Sequence, residues 1–237
     1  MTLSLTEASQ PQPLGLKAVI FDLGDVLLRT VDDSRRTAWE RRLGLAPGEV
    51  EHIVLGGENG WAVQLGQVTD AEHWRSLQDR LGLDDAGLAR FREDFFAGDQ
   101  LDHDLLAYIG RLRLRYHIGL LSNASNGVRR LLTEKHAIIG CFDSVTISAE
   151  EGVMKPDPRI FWIALARAGA APAQALFVDD SLRGMVAVVA GEVLQLTHLL
   201  GRQFLRRDDI ARSRQQCAEN IGEYLFDPAL QCHDALQ

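Results

Sequence analysis

The sequence predicts an α/β fold, in which a parallel sheet flanked by helices is interrupted by a small all-α insertion. Three observations carry this. Short continuous apolar runs recur along the chain, too short for helices and without the alternation of a strand that has one wet face. Segments of helical period lie between those runs, the order expected of parallel strands joined by crossover helices. Residues 31–98 break the rhythm: about seventy positions pass with helical signals and no convincing strand.

Taken in order, residues 1–16 are polar, contain Pro11 and Pro13, and read as a flexible leader. Ala18-Val19-Ile20-Phe21 is the first buried strand, ending at Asp22 and a turn at Gly24. Within 31–98, Thr69-Asp70-Ala71-Glu72 is a capping box, followed by Trp74, Leu77 and Leu81 on one face and a stop at Gly82. Leu88, Phe91 and Phe95 follow at similar spacing and end at Gly98. Leu101, Leu105, Leu106, Ile109 and Leu112 make an apolar stripe before the run at 118–121. Runs at 144–147, 176–178 and 193–196 complete the strands, and a helix with Ile160, Phe161, Ala164, Leu165 and Ala168 starts at Pro158. The expectation is a Rossmann-like core from 17–30 and 99–198, a helical cap from 31–98, and an unassigned tail from 199–237. Because ligands of open α/β sheets bind at strand C-termini, an insertion there is placed to cover the site; a purely structural lobe is the alternative.

Composition narrows the function classes. The 237 residues carry 25 Lys+Arg against 33 Asp+Glu, a formal charge of −8, which disfavours nucleic acid as a partner but not a small anion in a locally electropositive site. Cys141, Cys217 and Cys232 form neither a disulfide framework nor a zinc spacing, and the seven histidines are scattered. Neither a signal peptide nor a transmembrane run is legible, so a cytoplasmic protein without a membrane partner is expected.

The chemistry lies in where the acids sit. Asp22 ends the first run, Asp179 and Asp180 end a later one, and Ser122 and Asn123 end the run at 118–121. In a parallel sheet all five side chains share one edge. Carboxylates roughly 5 Å apart repel by about 3 kcal/mol per pair at an effective dielectric near 20, so three of them need cations, most naturally Mg²⁺ with Lys155 nearby. Each piece also has a plainer role: a turn or helix-cap acid, with Asp180-Ser181 capping a helix at 182–190, a turn at Ser122-Asn123, or a solvated lysine.

Four segments then resemble, in order, the motifs of the haloacid dehalogenase (HAD) superfamily: Val19-Ile20-Phe21-Asp22-Leu23-Gly24-Asp25-Val26-Leu27, Leu120-Leu121-Ser122-Asn123, Lys155-Pro156-Asp157-Pro158 and Phe177-Val178-Asp179-Asp180-Ser181. The helical insertion is similar to that of a branch with an α-helical cap after the first motif. The resemblance implies a phosphatase-like hydrolase acting on a small anionic phosphorylated substrate. Asp22 would be the nucleophile, forming an aspartyl-phosphate. Mg²⁺ would sit on Asp22, Asp179, Asp180 and the backbone carbonyl of Gly24. Ser122, Asn123 and Lys155 would bind phosphate, with Lys155 also neutralising charge in catalysis.

Gly24 departs from the pattern, standing where such phosphatases carry a second Asp as general acid/base. General acid–base help is typically worth ~10²–10⁴-fold, so its loss bears on poor leaving groups. Three readings follow: a slower phosphatase using water or Asp25, a metal-free 2-haloacid dehalogenase, or a weakly active or non-catalytic interaction protein. The Asp179-Asp180 pair argues against the second, and Asp25 itself reads as a turn residue tolerating positive φ. The tail carries Arg202, Arg206, Arg207, Arg212 and Arg214 with Leu225, Phe226 and Leu230; it could pack on the core, mediate a homodimer or be disordered. Trp39, Trp61 and Trp74 either line the cleft or pack between helices.

Overall fold

The structure, a computed structural model, describes residues 15–180. The expected strand at 193–196, the helix at 182–190, Cys217, Cys232, the tail 199–237 and nearly all of the leader 1–16 lie outside the described residues. Every element below falls within the unit Lys17–Phe204.

Four strands form the main sheet: β1 (Ala18–Phe21), β4 (His117–Ser122), β5 (Ser144–Ile147) and β6 (Ala175–Val178), in the order β5-β4-β1-β6 and all parallel. The apolar runs are these strands. Ala18 through Phe21 are each at most 1% exposed, which is why the first run shows no polar alternation. On one face, Ala18, Ile20, Leu121 and Ala175 pack against Ile160, Phe161, Ala164 and Leu165 of α7 (Pro158–Ala168). That helix starts as its sequence dictates, with Asp157 accepting from the Arg159 N–H, Pro158 in the first turn, and left-handed Gly169 at its end.

Between β2 (Leu28–Thr30) and β3 (Asp99–Leu101) run five helices: α1 (Ser34–Leu43), α2 (Glu49–Leu55), α3 (Gly57–Gln64), α4 (Asp70–Leu81) and α5 (Asp85–Phe96). They bury their own apolar cluster of Trp39, Val50, Ile53, Val54, Trp74, Leu77, Phe91 and Phe95, which shares no residue with the cluster under the sheet. Thr69 and Glu72 complete the capping box reciprocally, and Gly82 closes α4 at φ 62°. Trp39 and Trp74 are packed edge-on against Phe91, whereas Trp61 is exposed.

One element departs from expectation. Leu101 does not extend the helical stripe; it pairs with Leu28 in an antiparallel two-stranded ribbon at the base of the helical segment, and α6 spans His103–Leu112. The ribbon is fastened by charge: Asp99 accepts from Thr30 Oγ1 (2.7 Å) and from the buried Arg36 (3.0 Å), whose Nε also donates to the Phe95 carbonyl (2.9 Å). Gly98 is needed here because a Cβ would collide with the Asp32 carbonyl oxygen. Among the described residues, no helix is long and apolar enough to cross a membrane.

Candidate active site

The sheet brings together what its strand ends carry. β1 and β6 pair with Phe21 opposite Val178, and the Asp22 N–H donates to the Val178 carbonyl (2.8 Å), so Asp22 and Asp179 emerge side by side. Carboxylate oxygens of Asp22, Asp179 and Asp180 all lie within 4.8 Å of one another. Lys155 reaches in from the loop before α7, its Nζ 3.0 Å from Asp22 Oδ2 and 2.7 Å from Asp179 Oδ2. All three of these side chains are almost wholly buried, so the pairs act with little solvent screening.

Three carboxylates against one ammonium leave the cluster short of positive charge. Burial pushes the Asp22 carboxyl up to about 6; Lys155 opposes this, Asp179 adds to it, and the Leu23 N–H at 2.7 Å eases it. Asp180 is also pushed up to about 6, by loss of hydration first and then by the charges of Asp179 and Asp25, although it is the most exposed of the three. For Lys155, burial alone would lower the ammonium, but the flanking charges of Asp22 and Asp179 win and hold it above its ordinary value.

Those residues fit a hard divalent cation. Hard oxygen donors in excess of local positive charge are the donor set Mg²⁺ takes, and two of its ligands lie at most ~4.2 Å apart, so a cluster within 4.8 Å needs only a small contraction. Gly24 makes a bridge with Leu28, but the bonds run from Leu28 N–H to Leu23 and from Asp25 N–H to Leu28, so the Gly24 carbonyl accepts neither. Asp25 adopts φ 54°, the left-handed turn its residue type tolerates.

Ser122 is buried at the end of β4, on the same edge. Asn123 lies beside it, with both ends of its amide on the backbone of Lys155: Nδ2 donates to the Lys155 carbonyl (2.9 Å) and Oδ1 accepts the Lys155 N–H (2.8 Å). Two further residues near this edge carry no site signal in the sequence. The fully buried Ser148 bonds both the N–H and the carbonyl of Ala124 through its hydroxyl (2.9 and 3.3 Å). Asp70, at the start of α4, accepts from Ser125 Oγ (2.9 Å) and from Arg92 (2.8 Å), tying the helical segment to the loop after Asn123. Asp70 stands inside the capping box, but nothing local in the sequence indicates a partner 55 positions away.

Comparison with known proteins bears on the family and the fold. The model of the haloacid dehalogenase-like hydrolases matches residues 16–190. The chain is 29% identical over 177 residues to acyl-CoA dehydrogenase family member 10 of Mus musculus, a match spanning 69% of this chain and 16% of that protein. It is 44% identical over 64 residues to a phosphoserine phosphatase of Thermus thermophilus, spanning 26% of each. The chain therefore covers well under a third of either relative. Among solved structures, a HAD family enzyme of Bacteroides thetaiotaomicron, in complex with magnesium and inorganic phosphate, superposes with a TM-score of 0.59 at 24% identity, over 73% of this chain and 89% of that one. At that identity the likeness shows the fold.

Proposed function

Because the chain belongs to the haloacid dehalogenase-like hydrolases, we propose that it is a magnesium-dependent phosphomonoesterase for a small phosphorylated metabolite, with Asp22 as nucleophile. The observation that carries this reading is the contact of Lys155 with both Asp22 and Asp179 inside a cluster of three carboxylates. Residues 31–98 serve as the cap over this edge, and Asp70 on Ser125 is one of its points of attachment.

Asp22 attacks phosphorus, an Asp22 O–P bond forms, and the ester P–O bond breaks. Water then attacks the same phosphorus, releasing inorganic phosphate and restoring the carboxylate. Lys155 holds Asp22 ionised and oriented, and its charge offsets that of the incoming phosphate. Ser122 donates to a phosphoryl oxygen. Asp22, Asp179, Asp180 and the Gly24 carbonyl would hold Mg²⁺, which when bound neutralises phosphate charge and polarises the phosphoryl group.

Gly24 leaves the departing oxygen without an acid from that position, so it takes its proton from water, and esters of weakly basic alcohols react best. A Cβ built on Gly24 meets nothing within 4 Å and its φ is ordinary, so a side chain fits there. Gly24→Asp is expected to raise turnover of alkyl phosphates relative to aryl phosphates by roughly tenfold or more; no change in that ratio would separate Gly24 from leaving-group chemistry. The same glycine also motivates the second reading, a weakly active or non-catalytic member of the family. A 2-haloacid dehalogenase leaves Asp180 without a use, and halide release in EDTA would revive it.

The test is phosphate release from sugar, nucleotide, organic-acid and aryl phosphates, with and without Mg²⁺. Turnover that depends on Mg²⁺ supports the proposal. No release from any of them favours the non-catalytic reading.

A further inference from the structure

Asn123 is expected from its position to touch phosphate, yet the structure commits both ends of its amide to one residue's backbone. We propose that Asn123 is a positioning residue for Lys155, a clamp that fixes where the ammonium enters the site; this rests on the reading of Asp22 and Lys155 given above.

Two oppositely directed hydrogen bonds, 2.8 and 2.9 Å long, join the Asn123 side chain to the N–H and the carbonyl of Lys155, 32 residues away. Together they fix the rotation of the Lys155 backbone as well as its distance from β4. The clamp stands on a rigid base. Ser122, one residue earlier, is held in the β4–β5 ladder opposite Ile147, and Ala124, one residue later, is bonded at both its N–H and its carbonyl by Ser148 Oγ. From this base the Lys155 side chain runs to Asp22 and Asp179.

The carboxylates cannot supply that placement by themselves. Asp22 gives up its negative charge when one of its oxygens bonds phosphorus, and Asp179 would be shared with the cation. A long flexible side chain whose end contacts change through a reaction needs its root held instead. Asn123 provides this without contacting the reacting atoms.

The test is a double-mutant cycle in the full-length protein with an aryl phosphate and Mg²⁺. Asn123→Ala is expected to lower kcat about tenfold with KM within about twofold, since two backbone hydrogen bonds are lost and no phosphate contact is. On a Lys155→Ala background the same change should alter kcat by less than about twofold, because the clamp has nothing left to place. Losses that multiply, or a rise in KM and in the inhibition constant of inorganic phosphate, would mean that Asn123 touches substrate and would overturn the proposal.

Crystal structures of Asn123→Ala and Asn123→Asp give a readout independent of turnover. The aspartate keeps the acceptor for the Lys155 N–H and loses the donor, so it serves if the alanine variant fails to fold. Lys155 Nζ is expected to move beyond about 4 Å from Asp22. A Lys155 that stays in contact with both Asp22 and Asp179 overturns the clamp. A wild-type protein inactive on every phosphate ester contradicts the proposed function and leaves this structural outcome decisive for the clamp.

Discussion

The edge of the sheet and the core of the helical segment are built to opposite rules. The helical segment buries Trp39, Trp74, Phe91 and Phe95, with both tryptophans edge-on to Phe91, and keeps most of its charges at the surface in pairs such as Arg35–Asp94 and Arg92–Asp70. The sheet edge buries like charges beside one another, with two carboxyls raised to about 6 and one lysine to offset them. One region is arranged for its own stability. The other carries an electrostatic cost that a cation would relieve, the usual sign of a site arranged for chemistry.

If that contrast holds, substitutions in the two regions move stability and activity in opposite directions. Of the substitutions that probe both regions, the largest effect is expected from Asp180→Asn, at a proposed cation ligand: turnover with Mg²⁺ should fall by two orders of magnitude or more, while the thermal midpoint in EDTA rises because a disfavoured charge is gone. Equal midpoints for the two proteins in EDTA would break the comparison. Phe91→Ala, in the helical core, should cost about 3–5 kcal/mol in chemical denaturation through the cavity it leaves. A loss below about 1 kcal/mol would show that the segment contributes little to folding.

Acidity sharpens the same contrast. In the metal-free protein, Asp22 and Asp180 hold protons to about pH 6 that an unfolded chain releases near its ordinary carboxylate value. Their contribution is therefore favourable below about pH 4 and is lost as pH rises through about 6, where the charged cluster begins to gain most from a cation. The thermal shift produced by Mg²⁺ should be small near pH 5 and larger near about pH 7.5; a shift independent of pH would show that these carboxyls are not its source. The smallest effect is Thr69→Ala, which removes one side of the capping box and should cost about 1 kcal/mol in denaturant unfolding with kcat little changed.

What was legible in the sequence follows the range of the interaction. Thr69, Glu72 and Gly82 mark α4 within a few residues, and the strands of the sheet show as apolar runs because both faces are covered. The three-residue ribbon is invisible locally, since Leu28 and Leu101 find each other only through the fold, and Leu101 matches the period of the helix that follows. At the site, Asp22, Asp179 and Asp180 could be placed together because strand ends in a parallel sheet share an edge, whereas Lys155 stands in a loop and is tied to them by the motif resemblance. The bonds of Asn123 to Lys155, and of Asp70 to Ser125, depend on how loops return to that edge, which no local pattern encodes.

Phosphoryl transfer at this edge is proposed to pass through Asp22. Its most direct test is turnover of an aryl phosphate by the Asp22→Asn protein, which keeps the shape of the side chain and removes the nucleophile, with wild type in EDTA alongside. A loss of about a thousandfold or more is expected in the variant, with a comparable loss in EDTA. Undiminished turnover by Asp22→Asn would contradict it.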